Sequence, residues 1–189
     1  ISNIFRIASK NIYGTGKTAL EKTRNTLFIL ILITTGARLC EMLDLREEDF
    51  SLVKKQIVIN GRKQKGKPRR YPVSQKITDA YESYEYWKKR CGRAEETKLF
   101  VSLSKRSGWT EKGVRNLLRK LRQDLGFRVQ CHGFRRFAAT KMSDQGKDMK
   151  TIMQYLGHTR PSTTARYIDN TALQNQAGAE IMRGVVECL

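Results

Sequence analysis

Leu27 to Ile33 is an unbroken run of seven apolar residues that closes a segment reading as one helix from about Thr18. A helix that is apolar all round has no face to give to water, so other elements must cover it on every side. The run is well short of the roughly 18 to 20 residues that cross a bilayer, and it is read as a buried core helix, with no membrane association expected. With 189 residues, 39% of them hydrophobic, the chain can bury one sizeable core around it, and one domain is the expected count. Thr35-Gly36 ends the helix. Leu39, Met42, Leu43 and Leu45 then resume helical spacing, which puts Arg38 in the first turn of a second helix directly after a tight bend.

Further along, Gln56 to Asn60 is a short β-branched run, and Arg70-Tyr71-Pro72-Val73 can pair with it across a long basic loop. Six of the nine residues from 62 to 70 are Lys or Arg. Ser74 reads as the N-cap of a helix with Ile77, Tyr81, Tyr84, Trp87 and Cys91 on one face; their helical period favours core packing over a base-stacking platform. Thr110 caps another amphipathic helix, with Val114, Leu117, Leu118, Leu121 and Leu125 inward and Arg115, Arg119, Lys120 and Arg122 outward. Helices are expected from about Gly133 to Ser143 and from Asp148 to Leu156, the second stopped by a left-handed Gly157, with a short helix from Ser162. The tail from Asn170 to Leu189 is helical in pattern, with Ala177, Ile181 and Val185 on one face. The expected fold is mixed and mainly α, a helical domain with a small antiparallel β-hairpin or sheet.

The 37 Lys and Arg against 18 Asp and Glu give a net charge of +19, the balance of a protein that sits on phosphates. Cys40, Cys91, Cys131 and Cys188 lie far apart with no Cys-x-x-Cys pair, so neither a zinc site nor a disulfide framework is supported; reduced thiols and a cytoplasmic, nucleoid-associated location are expected. Gly14-Thr15-Gly16-Lys17-Thr18 resembles the end of a phosphate-binding loop, but position 11, where that loop needs glycine, is Asn, and no buried strand precedes it. A loop leading into a helix is the preferred reading. The chain begins at Ile1 without methionine or a signal-peptide pattern, and an N-terminal part is expected to be missing from it.

His132 and His158 are the only two histidines. Cleaving a phosphodiester needs a nucleophile, charge stabilisation on the non-bridging oxygens and a proton for the leaving oxygen. Carboxylates could hold a metal for the second task, but only Asp144 and Asp148 lie near the histidines, and neither is spaced to share an ion with them, so no metal and no cofactor are expected. Arginine is the alternative, since its planar fork binds two phosphate oxygens and stays charged. Arg135, three residues after His132, falls on the same helical face. Tyr167 offers a phenol whose free pKa of about 10 leaves it protonated at neutral pH, so it needs a nearby base or local positive charge to attack phosphorus.

Thr35 to Leu45 (Thr-Gly-Ala-Arg-Leu-Cys-Glu-Met-Leu-Asp-Leu), His132-Gly133-Phe134-Arg135-Arg136, Leu156-Gly157-His158 and Thr164-Ala165-Arg166-Tyr167 together resemble the catalytic domain of the tyrosine recombinase family, which includes phage integrases and the Xer recombinases. The resemblance runs from about residue 20 to 170. It implies a catalytic domain over 1–170, a helical tail over 171–189 that docks on a neighbouring protomer or folds back on its own, and a separate N-terminal DNA-binding domain outside this chain. It further implies that Arg38 and Arg135 clamp the scissile phosphate and that Tyr167 attacks it to leave a 3′-phosphotyrosyl link. His132 would exchange a proton with the tyrosine or bond the phosphate, and His158 would donate to a non-bridging oxygen. Glu41 would orient its neighbours. The family's general acid is a hairpin lysine, for which Lys63 is the first choice and Lys65 the second. Arg62, Lys67, Arg69, Arg70 and Arg136 are expected to contact DNA. Phe134 stands where many members have Leu, a change that packing can absorb.

The implied partners are double-stranded DNA, a homotetramer on paired sites, and accessory DNA-bending or partner recombinase proteins. Two other readings keep the fold: a type IB topoisomerase-like enzyme that reseals the same strand, and a noncatalytic DNA-binding protein.

Overall fold

The computed structural model describes residues 16–61, 68–158, 162 and 164. Its elements, in chain order, are α1 (Lys17–Thr35), α2 (Leu39–Asp44), a 3-10 turn (Glu47–Asp49), β1 (Phe50–Ser51), β2 (Gln56–Ile59), β3 (Arg69–Pro72), α3 (Gln75–Arg90), α4 (Glu111–Leu125), α5 (Cys131–Asp144) and α6 (Met149–Leu156). The mainly helical fold with a small antiparallel sheet is the one the sequence pattern leads to. No described helix is long and apolar enough to cross a membrane.

The apolar run lies at the centre. Leu27, Phe28, Ile29, Ile31 and Leu32 are buried, while Leu30 and Ile33 are only partly covered, so the enclosure stops short of complete. α1 packs most extensively on α3, then on α5. Phe28 meets Phe100 and Trp109 edge to face, each at a centroid distance of 5.1 Å, the geometry that the ring quadrupoles favour. Burial in α1 also extends to a charge that hydrophobic periodicity does not reveal. Arg24 is 3% exposed, donates from Nη1 to the Val101 carbonyl at 2.9 Å and lies 3.9 Å from the centroid of Trp109.

α3 holds a second such charge. Ile77 and Tyr84 face inward as their spacing predicts, and the Val101 amide donates to the Tyr84 hydroxyl. Tyr81, Trp87 and Cys91 are half-buried, and fully buried Lys88 shares the face. Its ammonium meets the Glu47 carboxylate and the carbonyls of Glu96 and Lys98, and Tyr81 donates to the same carboxylate at 3.0 Å. A buried ammonium with three oxygen partners replaces the hydration it loses.

The expected hairpin is part of a three-stranded sheet in the order β1-β2-β3, with Ile57 opposite Tyr71 and Ile59 opposite Arg69. β1, only two residues long, carries too little pattern to be read from sequence; Phe50 in it stacks on Tyr81 at 4.2 Å. β3 begins one residue earlier than expected, at Arg69. Because side chains alternate along a strand, Arg69 shares the inward face of buried Tyr71, while Arg70 points to solvent.

Helix ends follow local chemistry closely. The Thr110 side chain accepts from the Gly113 amide and the Asp148 side chain from that of Thr151. Ser74 sits at its helix start without a side-chain cap bond. α5 starts two residues before the expected Gly133, at Cys131. Thr110→Ala is expected to destabilise the fold by about 1 kcal/mol, read as a lower urea midpoint at unchanged slope.

Candidate functional site

Two glycine turns build the site. Gly36 ends α1 in the left-handed region (φ 58°), and a Cβ there would lie 2.8 Å from the Leu156 side chain and 3.3 Å from that of Ala138. Bare backbone at this turn lets α5 and α6 close on the end of α1. Gly157 ends α6 in the same conformation (φ 65°); its amide bonds the Gln154 carbonyl and that of His158 bonds Met153, which satisfies the last carbonyls and turns the chain sharply. His158 is thereby delivered beside the Gly36 turn.

Arg135, one turn into α5, is 3% exposed. Its Nη1 donates to the Gly36 carbonyl at 2.8 Å, its Nη2 to the Leu156 carbonyl, and its Nε to Nε2 of His158 at 3.0 Å. Arginine only donates, so Nε2 of His158 is the bare nitrogen of a neutral ring, and the proton on Nδ1 faces the Thr164 hydroxyl at 2.7 Å. Burial first, then the charges of Arg135 and Arg38, push the His158 pKa down to about 4.

Arg38 is the arginine that faces solvent, with its side chain 35% exposed. Its Nη2 donates to the Gly157 carbonyl at 3.1 Å, so both arginines reach consecutive carbonyls of one turn, Leu156 and Gly157. Beneath Arg38 lies Glu41, 2% exposed. It accepts from the Arg38 amide (2.8 Å) and Nη1 (2.9 Å), and from Nη2 of Arg69 (2.8 Å). Burial opposes its ionisation, but the Arg38 amide and the Arg69 charge outweigh that cost and hold the carboxyl below its usual range.

His132 is exposed in the first turn of α5, while Arg135 on the next turn is buried. Partial burial of the ring, then Arg135 and Arg136, lower its pKa, which favours the neutral imidazole at pH 7. Arg70 is exposed and Arg136 half-buried. The structure therefore brings Arg38, Glu41, Arg135 and His158 together as the sequence motifs anticipate. Arg69, expected on DNA, is turned into the same cluster. Arg62, Lys63, Lys65, Lys67 and Tyr167 lie outside the described residues, as does the tail.

Motif reading missed the tyrosines that brace this cluster. Tyr71 accepts from Nε of Arg69 at 2.9 Å and donates to the Tyr155 carbonyl; Tyr155 donates to the Thr34 carbonyl, and the two rings meet edge to face at 4.9 Å. The available signal was strand alternation, which pairs Arg69 with Tyr71 on one face once the strand starts at 69.

A pH test follows. The unfolded chain protonates His158 near 6.5 and the folded chain only near 4, so between these values the unfolded state binds the extra proton. Stability from this group is complete above about 6.5 and is expected to fall by about 3 kcal/mol on acidification to 4. Glu41, whose folded pKa is also lowered, adds to the loss further down. Urea midpoints across this range check it; His158→Gln should flatten the upper part of the curve.

Two arginines that converge on one helix-terminal turn, one of them braced by a buried carboxylate, form an arrangement that can receive an oxyanion. The chain belongs to the phage integrase family, whose sequence model matches residues 8–174. Tyrosine recombinase XerA of Pyrococcus furiosus is 31% identical to it over 154 residues, 80% of this chain and 52% of that protein. Tyrosine recombinase XerC of Staphylococcus saprophyticus is 30% identical over 151 residues, 79% and 50% of the two chains. The chain thus spans about half the length of these relatives. The crystal structure of XerA recombinase superposes with a TM-score of 0.72 at 25% identity, covering 97% of this chain and 61% of that one. XerH site-specific recombinase, solved in a pre-cleavage complex with its difH substrate, shares the fold with a TM-score of 0.72 at 22% identity, covering 94% and 50%.

Proposed function

We propose that this chain is the catalytic part of a site-specific DNA recombinase that cleaves and rejoins strands through a 3′-phosphotyrosyl intermediate. The observation that carries this reading is the convergence of Arg38 and Arg135 on the Leu156-Gly157 turn beside a neutral histidine. Two permanently charged forks fixed at one point suit the negative charge that grows on the non-bridging oxygens as phosphorus becomes five-coordinate. Arg38 meets the phosphate from the solvent side. For Arg135, a phosphate oxygen would compete with the protein carbonyls at its terminal nitrogens. Neutral His158 orients Arg135 through its bare nitrogen, and donates to a phosphate oxygen only after a change of tautomer or protonation.

Tyr167 is the nucleophile and His132, neutral and exposed, takes its proton. The tyrosine oxygen bonds to phosphorus, the bond to the 5′ oxygen breaks, and Lys63, or failing it Lys65, returns a proton to that oxygen. One phosphodiester is exchanged for another, so a new partner strand reverses the step without a nucleotide or other cofactor. Double-stranded DNA is the substrate, supported by the net charge of +19. A homotetramer on paired sites, helped by accessory DNA-bending or partner recombinase proteins, is the proposed working assembly, and the nucleoid its place.

The test is incubation with a pool of nicked duplexes whose flanks are randomised around one scissile position, followed by a denaturing gel. A protease-sensitive band of protein linked to DNA, formed equally in EDTA, is expected. DNA binding without any such band points to the noncatalytic reading. Plasmid relaxation by an adduct-forming chain that never exchanges strands between two selected sites points to the topoisomerase-like one.

A further inference from the structure

Arg69 does not sit as a DNA-contacting arginine would. Its side chain is 10% exposed, and its contacts run inward to Tyr71, Glu41 and the α6 terminus. It lies so close over Gly157 that a Cβ on that residue would fall 1.7 Å from its Nη1. Four groups thus close a ring: Arg69 bonds Glu41, Glu41 bonds Arg38, Arg38 bonds the Gly157 carbonyl, and the Gly157 backbone seats the guanidinium of Arg69.

We infer that Arg69 is a positioning residue of the phosphate site, setting Arg38 through Glu41 and the His158 turn through Gly157, and that it makes no DNA backbone contact. This deepens the recombinase reading and rests on it. The Glu41 carboxylate is shared by two arginines. While Arg69 holds Oε2, Arg38 is anchored by Oε1 and by the Gly157 carbonyl, with its fork presented at a fixed angle. Without Arg69, Glu41 keeps one side-chain cation, Arg38, and only the Arg38 amide on Oε2. The turn carrying His158 also loses the side chain packed on its glycine. A shift of an ångström at a clamp of this kind is enough to lower a rate strongly. Arg69 is also among the charges that depress Glu41 and His158, so its removal raises both.

The experiment compares the wild-type chain with Arg69→Gln, Arg69→Lys and, as an exposed reference on the same strand, Arg70→Gln. All are assayed on the one duplex that the wild-type chain enriches from the randomised pool, below the melting temperature of every variant. For Arg69→Gln the expected result is a DNA dissociation constant and salt slope like wild type, with the adduct rate at saturating DNA lower on the order of ten- to a hundredfold. The acid limb of its rate profile moves to higher pH, and Arg69→Lys recovers part of the rate. A salt slope reduced by about one phosphate contact, as for Arg70→Gln, with an unchanged saturating rate would make Arg69 a DNA contact and overturn the inference. A lower melting temperature with a normal rate per folded molecule and an unmoved acid limb would overturn it too, as a role in stability alone. Failure of the wild-type chain to form any adduct would remove the recombinase reading itself, and this inference with it; a normal wild-type adduct with a normal Arg69→Gln removes only the inference.

Discussion

Tyr167→Phe is expected to eliminate the covalent protein–DNA band while DNA binding stays within about twofold of wild type, because one hydroxyl adds little to an interface dominated by many phosphate contacts. The substitution keeps the ring and removes only the oxygen proposed to bond to phosphorus, so a loss of adduct reports chemistry. The phenol, with a free pKa of about 10, is a poor nucleophile at pH 7 until a base removes its proton. Neutral His132, held below its ordinary pKa by burial, Arg135 and Arg136, is matched to that task. A band that survives in Tyr167→Phe would show that another group attacks. Gel quantification after denaturation, beside a filter-binding isotherm, reads both quantities.

Arg135→Ala is expected to lower both stability and rate. Breaking a buried charge network from one side typically costs about 3 to 5 kcal/mol, since the former partners are left desolvated and unpaired. Here those partners are the carbonyls of Gly36 and Leu156 and the bare nitrogen of His158. In the proposed reaction the same change removes one charged donor from the developing oxyanion, on the order of a hundred- to a thousandfold in rate. Arg135→Lys separates the two effects. A lysine keeps the charge but not the fork, and one ammonium cannot meet two carbonyls and an imidazole in the arginine's fixed geometry. It should therefore regain more stability than rate. Urea unfolding and single-turnover adduct formation measure them separately, and a variant with full rate per folded molecule would remove Arg135 from the reacting centre.

Much of this architecture was legible along the chain. The run from Leu27 to Ile33 called for a central helix, and it lies in the core with Phe28 against Phe100 and Trp109. The breaks at Gly36 and Gly157 were readable because a left-handed helix terminus is a local matter of φ and the missing Cβ. Arg38, Arg135 and His158 were named from their motifs and do meet. What escaped were groups whose environment comes from distant chain. Arg24 and Lys88 look like surface charges by type, yet backbone carbonyls and a carboxylate brought in by other elements hold them inside. The direction of Arg69 depended on the strand reaching residue 69, since only inside the strand does alternation tie it to the face of Tyr71.

Helix periodicity, capping residues and glycine stops act within a few positions, through i to i+4 bonds and backbone sterics, so the order of residues alone was enough to establish them. Residues 38, 41, 69, 135 and 158 share a site for a different reason. The α1 and α6 termini pack so closely that Gly36 has no room for a Cβ, and a buried carboxylate there must gather whatever cations the adjoining elements supply. That selection is made by close packing and by the cost of leaving a buried charge unpaired, both of which exist only once the chain has folded.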